Sequence, residues 1–139
     1  MRKLFILLLL LCLSTVLFLT ACTSIGGETN PEEVVDGYME AFMADDLEKA
    51  MSYFAKDAVF HAVNVDSEYV GQERISNYVQ FKMKQITGME TRNFVVDGNT
   101  VTWEASQERT TTPIEISYSA IVEDGKIAYL ETNLILNDN

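Results

Sequence analysis

The chain contains a single histidine, His61, in the β-rich stretch Phe60-His61-Ala62. An imidazole is the one side chain whose ordinary pKa lies near 7, so it can act as base, acid or pH-sensitive group. Alternation along a strand puts His61 on the face opposite to Phe60 and Ala62. If those two face a pocket, His61 faces away from it. A second candidate is Glu131, inside the β-type pattern of Ile127 to Leu136. With Ile127 and Tyr129 inward, period two turns Glu131 and Asn133 inward as well. A carboxyl at a pocket mouth would ionise late and work as base or hydrogen-bond partner. In the other register Glu131 is a solvated surface acid, and the residues leave both registers open.

Other chemistries lack their residues. One His, two Cys and scattered acids give no metal-ligand spacing, so no metal and no cofactor is expected. A Ser-His-Asp triad would need His61, and there is no nucleophile-elbow motif. The seven glycines are dispersed and form no phosphate loop. Ten Lys+Arg stand against 21 Asp+Glu, a formal charge of −11. That excludes nucleic acid as a partner, because phosphate binding needs a basic stripe. It equally excludes a surface held to anionic lipid by charge. Apolar content of 47% over 139 residues fits one globular domain.

The N-terminus reads as an address. Arg2 and Lys3 precede an apolar run from Leu4 to Leu19, interrupted only by Ser14 and Thr15. Leu19-Thr20-Ala21-Cys22 follows, and it resembles the bacterial lipoprotein box: an aliphatic residue, two small residues, then Cys. The resemblance implies a signal peptide over 1–21, cleavage before Cys22 and acylation of its thiol. Cys12 leaves with the signal, so no free thiol and no disulfide framework remain. Two or more acyl chains anchor stably where one binds only marginally. The implied location is the bacterial cell envelope, with the domain lipid-anchored and facing outside the cytoplasm. Residues 22–30 read as the lipidated Cys and a small, polar, flexible tether.

From residue 31 to 139 the pattern is that of one domain. Asn30-Pro31-Glu32-Glu33 is a helix start with cap, N1 proline and capping-box acid. Val34, Val35, Tyr38, Met39, Phe42 and Met43 form a helical stripe. Asp45 with Glu48 suggests a second capping box before Leu47, Ala50, Met51 and Phe54. Asp57 to Asn64 reads as a strand, Glu68 to Val70 as a brief second one. A third helix runs from Gln72 to about Thr87-Gly88. Strands follow over Glu90–Val96, Thr100–Thr110, Ile114–Val122 and Ile127–Leu136, with turns at Asp97-Gly98-Asn99 and Asp124-Gly125. Helices segregated from an antiparallel meander define an α+β domain.

Three stretches carry a further resemblance: Tyr38-Met39-Glu40-Ala41-Phe42 with Phe54-Ala55-Lys56-Asp57-Ala58-Val59, then Tyr69 to Ile75, then Glu123 to Ile127. Together they resemble the SnoaL-like group of the nuclear transport factor 2-like (NTF2-like) superfamily. The resemblance implies a cone: three N-terminal helices packed on a curved antiparallel sheet, with a pocket at the open end. Functions in that superfamily range over isomerases, cyclases, dehydratases, ligand carriers and dimerisation modules, so fold does not give function.

The resemblance puts Tyr38 where steroid isomerases of the superfamily carry an oxyanion-stabilising tyrosine, a phenol donor for a developing enolate. Their general base falls on Ala62, which has no acid. Asn64 is close but cannot abstract a proton at neutral pH. Their second oxyanion acid falls near Ser117 or Tyr118, neither a carboxylic acid. His61 resembles the His of an aromatic-His-Asp stretch whose Asp is missing. The expected reading is therefore a binder of a small apolar or amphipathic ligand, with pocket candidates Tyr38, Phe42, Tyr53, Phe60, Trp103, Tyr118 and Glu131. The rival is an enzyme using Tyr38 as donor and His61 or Glu131 as base, which requires these groups to converge. A third reading is a homodimer through the convex sheet face of Thr102, Glu104, Ser106, Glu115, Ser117, Ser119 and Ile121, polar for an obligate interface.

Overall fold

The computed structural model describes residues 29–109 and 112–136. The expected signal segment 1–21, Cys22 and most of the expected tether therefore lie outside the described residues.

Helix α1 spans Pro31–Met43. The Asn30 side chain accepts the Glu32 amide at 3.1 Å, Pro31 occupies the first turn, and Glu32 and Glu33 offset the positive end of the helix. Its apolar stripe is buried from Val34 through Phe42. Helix α2 spans Leu47–Ser52 and is capped by Asp46, whose Oδ1 accepts the Lys49 amide at 3.0 Å. The expected cap was Asp45. That residue instead takes a left-handed backbone (φ 55°), which turns the chain between the helices and hands the cap to its neighbour.

Strand β1 covers Phe54–Ala62, three residues earlier than its apolar pattern suggested. A 3-10 turn over Val63–Val65 and a left-handed Asp66 return the chain as β2, Ser67–Val70, antiparallel to β1. Helix α3, Gln72–Met83, stops short of the expected Thr87. Ile86 already pairs with Arg109, because the β-branched Ile86 and Thr87 with Gly88 favour the ladder over another helical turn. Strands β3 (Ile86–Asp97), β4 (Thr100–Arg109), β5 (Ile114–Glu123) and β6 (Lys126–Leu134) form an antiparallel meander. The last hairpin closes on Asp124 (φ 50°) and Gly125 (φ 71°), the double positive φ of a type I′ turn.

The sheet order is β2-β1-β6-β5-β4-β3, and β1 pairs with β6 in parallel. The N-terminal strand thus docks beside the C-terminal one. Helix α1 lies across the inner face and touches β3, β4, β5 and β6. Every buried apolar residue belongs to one cluster centred on Trp103, Phe54, Ile75, Ile127 and Leu130. Among the described residues that cluster draws on α1 to β6. The outer face is polar: Arg92 contacts Glu104 at 3.2 Å and Glu115 at 2.6 Å.

Candidate functional site

The inner face does not close completely against the helices. A cavity of about 190 Å³ remains between α1, α3 and strands β1, β4, β5 and β6. Its deeper wall is aromatic and aliphatic: Tyr38 and Phe42 from α1, Phe60 from β1, Val79 from α3, and Ile116 and Tyr118 from β5, all buried. Tyr38 stands edge-on to Phe54 at 5.1 Å, and Phe60 edge-on to Tyr78 at 5.0 Å. Tyr118 is backed by Trp103, stacked at 4.8 Å, and Trp103 in turn by Phe94 at 5.9 Å.

The polar groups are few and placed. Gln107 is the one buried polar residue among the described residues. Its amide donates to the Tyr118 hydroxyl, and its carbonyl accepts from Arg109 Nη2 at 3.3 Å. Lys82 and Arg109 stand half-buried at the rim, with Asn64 and Thr132 completing the polar lining. Burial pushes the Tyr38 and Tyr118 phenols well above their usual range, and Tyr78 up to about 12. All three remain protonated donors at neutral pH. No carboxylate and no imidazole lines the cavity among the described residues.

A family model described as a SnoaL-like domain matches residues 35–130. The chain belongs to the SnoaL-like family. Solved structures share its fold. An NTF2-like protein from Burkholderia xenovorans is 16% identical, with 78% of this chain and 85% of that one covered and a TM-score of 0.71. A putative ketosteroid isomerase from Kribbella flavida is 10% identical, with 78% and 80% covered and a TM-score of 0.72. A putative polyketide cyclase from Sinorhizobium meliloti is 25% identical, with 73% and 94% covered and a TM-score of 0.65. No curated protein matches the chain by sequence.

Within this SnoaL-like domain, Tyr38, Phe42, Phe60 and Tyr118 line the cavity, and three other pocket candidates do not. Tyr53 packs its ring end against α1 at Gly37, the position where a side chain would collide with it. Trp103 is fully buried behind Tyr118. Glu131 lies on the outer face. The pairing of β6 shifts register against β5 and against β1, so Ile127 and Leu130 both point inward across an odd spacing. After the shift Thr132 and Leu134 reach the cavity, while Tyr129, Glu131 and Asn133 face out.

His61 also faces out, beside Glu131. Its Nδ1 lies 3.3 Å from Glu131 Oε2 and 3.2 Å from the Tyr129 hydroxyl, which donates to the same carboxylate at 2.9 Å. Partial burial and the Glu131 carboxylate push the Tyr129 phenol up to about 12. The convergence of Tyr38 with His61 or Glu131 that the rival enzyme reading requires does not occur: the sheet separates the phenol from both. Ala62, at the isomerase base position, is fully buried and Asn64 occupies the adjoining rim. Among the described residues no three His, Cys, Asp or Glu side chains could hold a metal ion.

Sequence reasoning missed Gln107, Arg109, Tyr78 and Lys82. A signal was present. Val101, Trp103 and Ala105 mark the inward face of β4, and the same period continues to Gln107 and Arg109. Polar residues persisting on a core face point to a site.

Proposed function

We propose that this chain is a lipid-anchored envelope protein whose SnoaL-like domain binds a small, partly apolar molecule in its inner cavity. The observation that carries the reading is the lining itself: buried aromatic and aliphatic walls with a few convergent polar groups, the usual make-up of a small-molecule site. The family and its fold neighbours support a pocket-bearing domain, some of them named for enzymes. A binding role is favoured over proton-transfer catalysis because the lining offers phenols, amides and cations but, among the described residues, no carboxylate or imidazole. Anchoring rests on the Leu19-Thr20-Ala21-Cys22 motif. No helix among the described residues is long and apolar enough to cross a membrane.

Native mass spectrometry of the chain from Thr23, expressed without the anchor, tests the binding role. A retained mass removed by unfolding supports it. A clean apo protein that also turns over a substrate overturns it. For the anchor, Cys22→Ala is expected to abolish fatty-acid incorporation and release the protein from membranes.

A further inference from the structure

The cavity holds two cations in a chain whose formal charge is −11. Lys82 and Arg109 both border it, and neither is within ion-pair distance of a carboxylate among the described residues. The pairs that do form there, Arg92 with Glu104 and Glu115 and His61 with Glu131, are all on the outer face. With acids in twofold excess, two cations that share one cavity lining with no carboxylate partner among the described residues call for an anion.

The arrangement is built into rigid elements. Arg109 pairs with Ile86 at the start of β3, and Lys82 lies in the last turn of α3 just before it. The short link from α3 to β3 therefore brings the two side chains to one rim. Arg109 Nε is buried without a hydrogen-bond partner, and its Nη2 is steered by the Gln107 carbonyl. A buried guanidinium N–H with no acceptor is costly unless a ligand completes it. Lys82 Nζ lies 5.2 Å over the Tyr78 ring. Burial and then Arg109 lower the Lys82 pKa, so the empty rim disfavours its own charge.

Size narrows the choice. A dry cavity of ~150 Å³ takes benzene, so about 190 Å³ takes one ring with a short arm. The planar fork of an arginine matches a carboxylate in two-point contact, with a lysine as an added point charge.

We propose that the occupant is a small organic acid, with a single-ring or short-chain body against Phe60 and Tyr118 and its carboxylate between Arg109 and Lys82. The inference rests on the cavity being the ligand site. The test uses three probes of one body: 3-phenylpropionate, 3-phenylpropanol and 3-phenylpropylamine. Trp103, the only tryptophan, stacks on the cavity-lining Tyr118 and reports occupancy by its fluorescence. The chain from Thr23 is used, since it contains every element from α1 to β6.

The acid is expected to bind at least about tenfold more tightly than the alcohol, with the amine weakest. Raising salt should weaken the acid and leave the alcohol unchanged. Combining Arg109→Gln with Lys82→Gln should erase the preference while the alcohol still binds, which also shows that the variant is folded. Equal binding of acid and alcohol overturns the anion and leaves the cavity reading standing. Failure of all three probes at millimolar concentration overturns both. A preference that survives in the double variant overturns the assignment to Arg109 and Lys82.

Discussion

Replacing Gln107 by leucine tests whether the polar link behind the cavity wall is structural. Leucine approximates the volume of glutamine, so the packing change is small and the loss is chiefly polar. The wild-type amide donates to the Tyr118 hydroxyl, which is otherwise near only Met89 Sδ at 3.9 Å. Removing it forfeits that bond and leaves a mostly buried phenol oxygen short of its donor, about 1–3 kcal/mol together, while the half-buried Arg109 Nη2 gives up its 3.3 Å contact with the Gln107 carbonyl. Tyr118 borders the cavity, where water can compensate in part, so about 2 kcal/mol is expected. For a domain of this size that lowers Tm by roughly 10 °C. Urea unfolding followed by far-UV circular dichroism measures it.

The decisive comparison is the double variant Gln107→Leu with Tyr118→Phe. With both partners apolar, neither the phenol nor the amide is left unpaired; the Arg109 contact is lost in the single and the double alike and cancels, so the double should cost about 1 kcal/mol less than the two singles added. Strict additivity, or a Gln107→Leu cost below about 0.5 kcal/mol, would refute the reasoning.

Lys82→Met should stabilise the domain at pH 7, because the folded state holds this ammonium against burial and Arg109. The folded pKa is the lower one, so wild-type stability rises as pH climbs through it toward the unfolded value, and the gap between variants should close near pH 10; urea midpoints at both pH values check this. Arg92→Ala should lower the urea midpoint at neutral pH. Hydrogen bonding to Arg92 holds the Glu115 carboxyl below its usual range, so the contribution is present above the unfolded pKa and lost as pH falls through the folded one. The difference should vanish in acid and shrink in molar salt, read by the same denaturation. Gly125→Ala should cost about 1–2 kcal/mol by thermal unfolding, since a Cβ there must accept left-handed φ. The added atom would also lie 3.1 Å from Thr29 Oγ1.

Local order made much of the fold legible. The stripe from Val34 to Phe42 and the alternation from Ile114 to Val122 are single-face patterns, and both faces are buried as written. Three cavity aromatics, Tyr38, Phe42 and Tyr118, follow from those stripes, and Phe60 from the alternation of β1. Glu131 was not readable, because a bulge adds a residue to β6 without altering its composition, and one residue flips every later side chain. The parallel docking of β1 on β6 left no local mark either, being a pairing between remote segments. Lys82 and Arg109 were passed over because isolated charges are usually solvated. Only the placement of Arg109 in phase with Trp103 betrays an inward side chain.

The union of β1 and β6 has a kinetic consequence. His61 meets its strand partner Glu131 seventy positions later in the chain. During synthesis, β1 has only the four-residue β2 as a sheet neighbour until β6 has been made. Closing that loop early is entropically expensive and unrewarded. The sheet therefore stays in two parts until β6 arrives, and it closes in one late step. Removing β6 would then not trim an edge of the sheet; it would divide the sheet into a hairpin and a meander, leaving β1 and β5 each exposed along one edge.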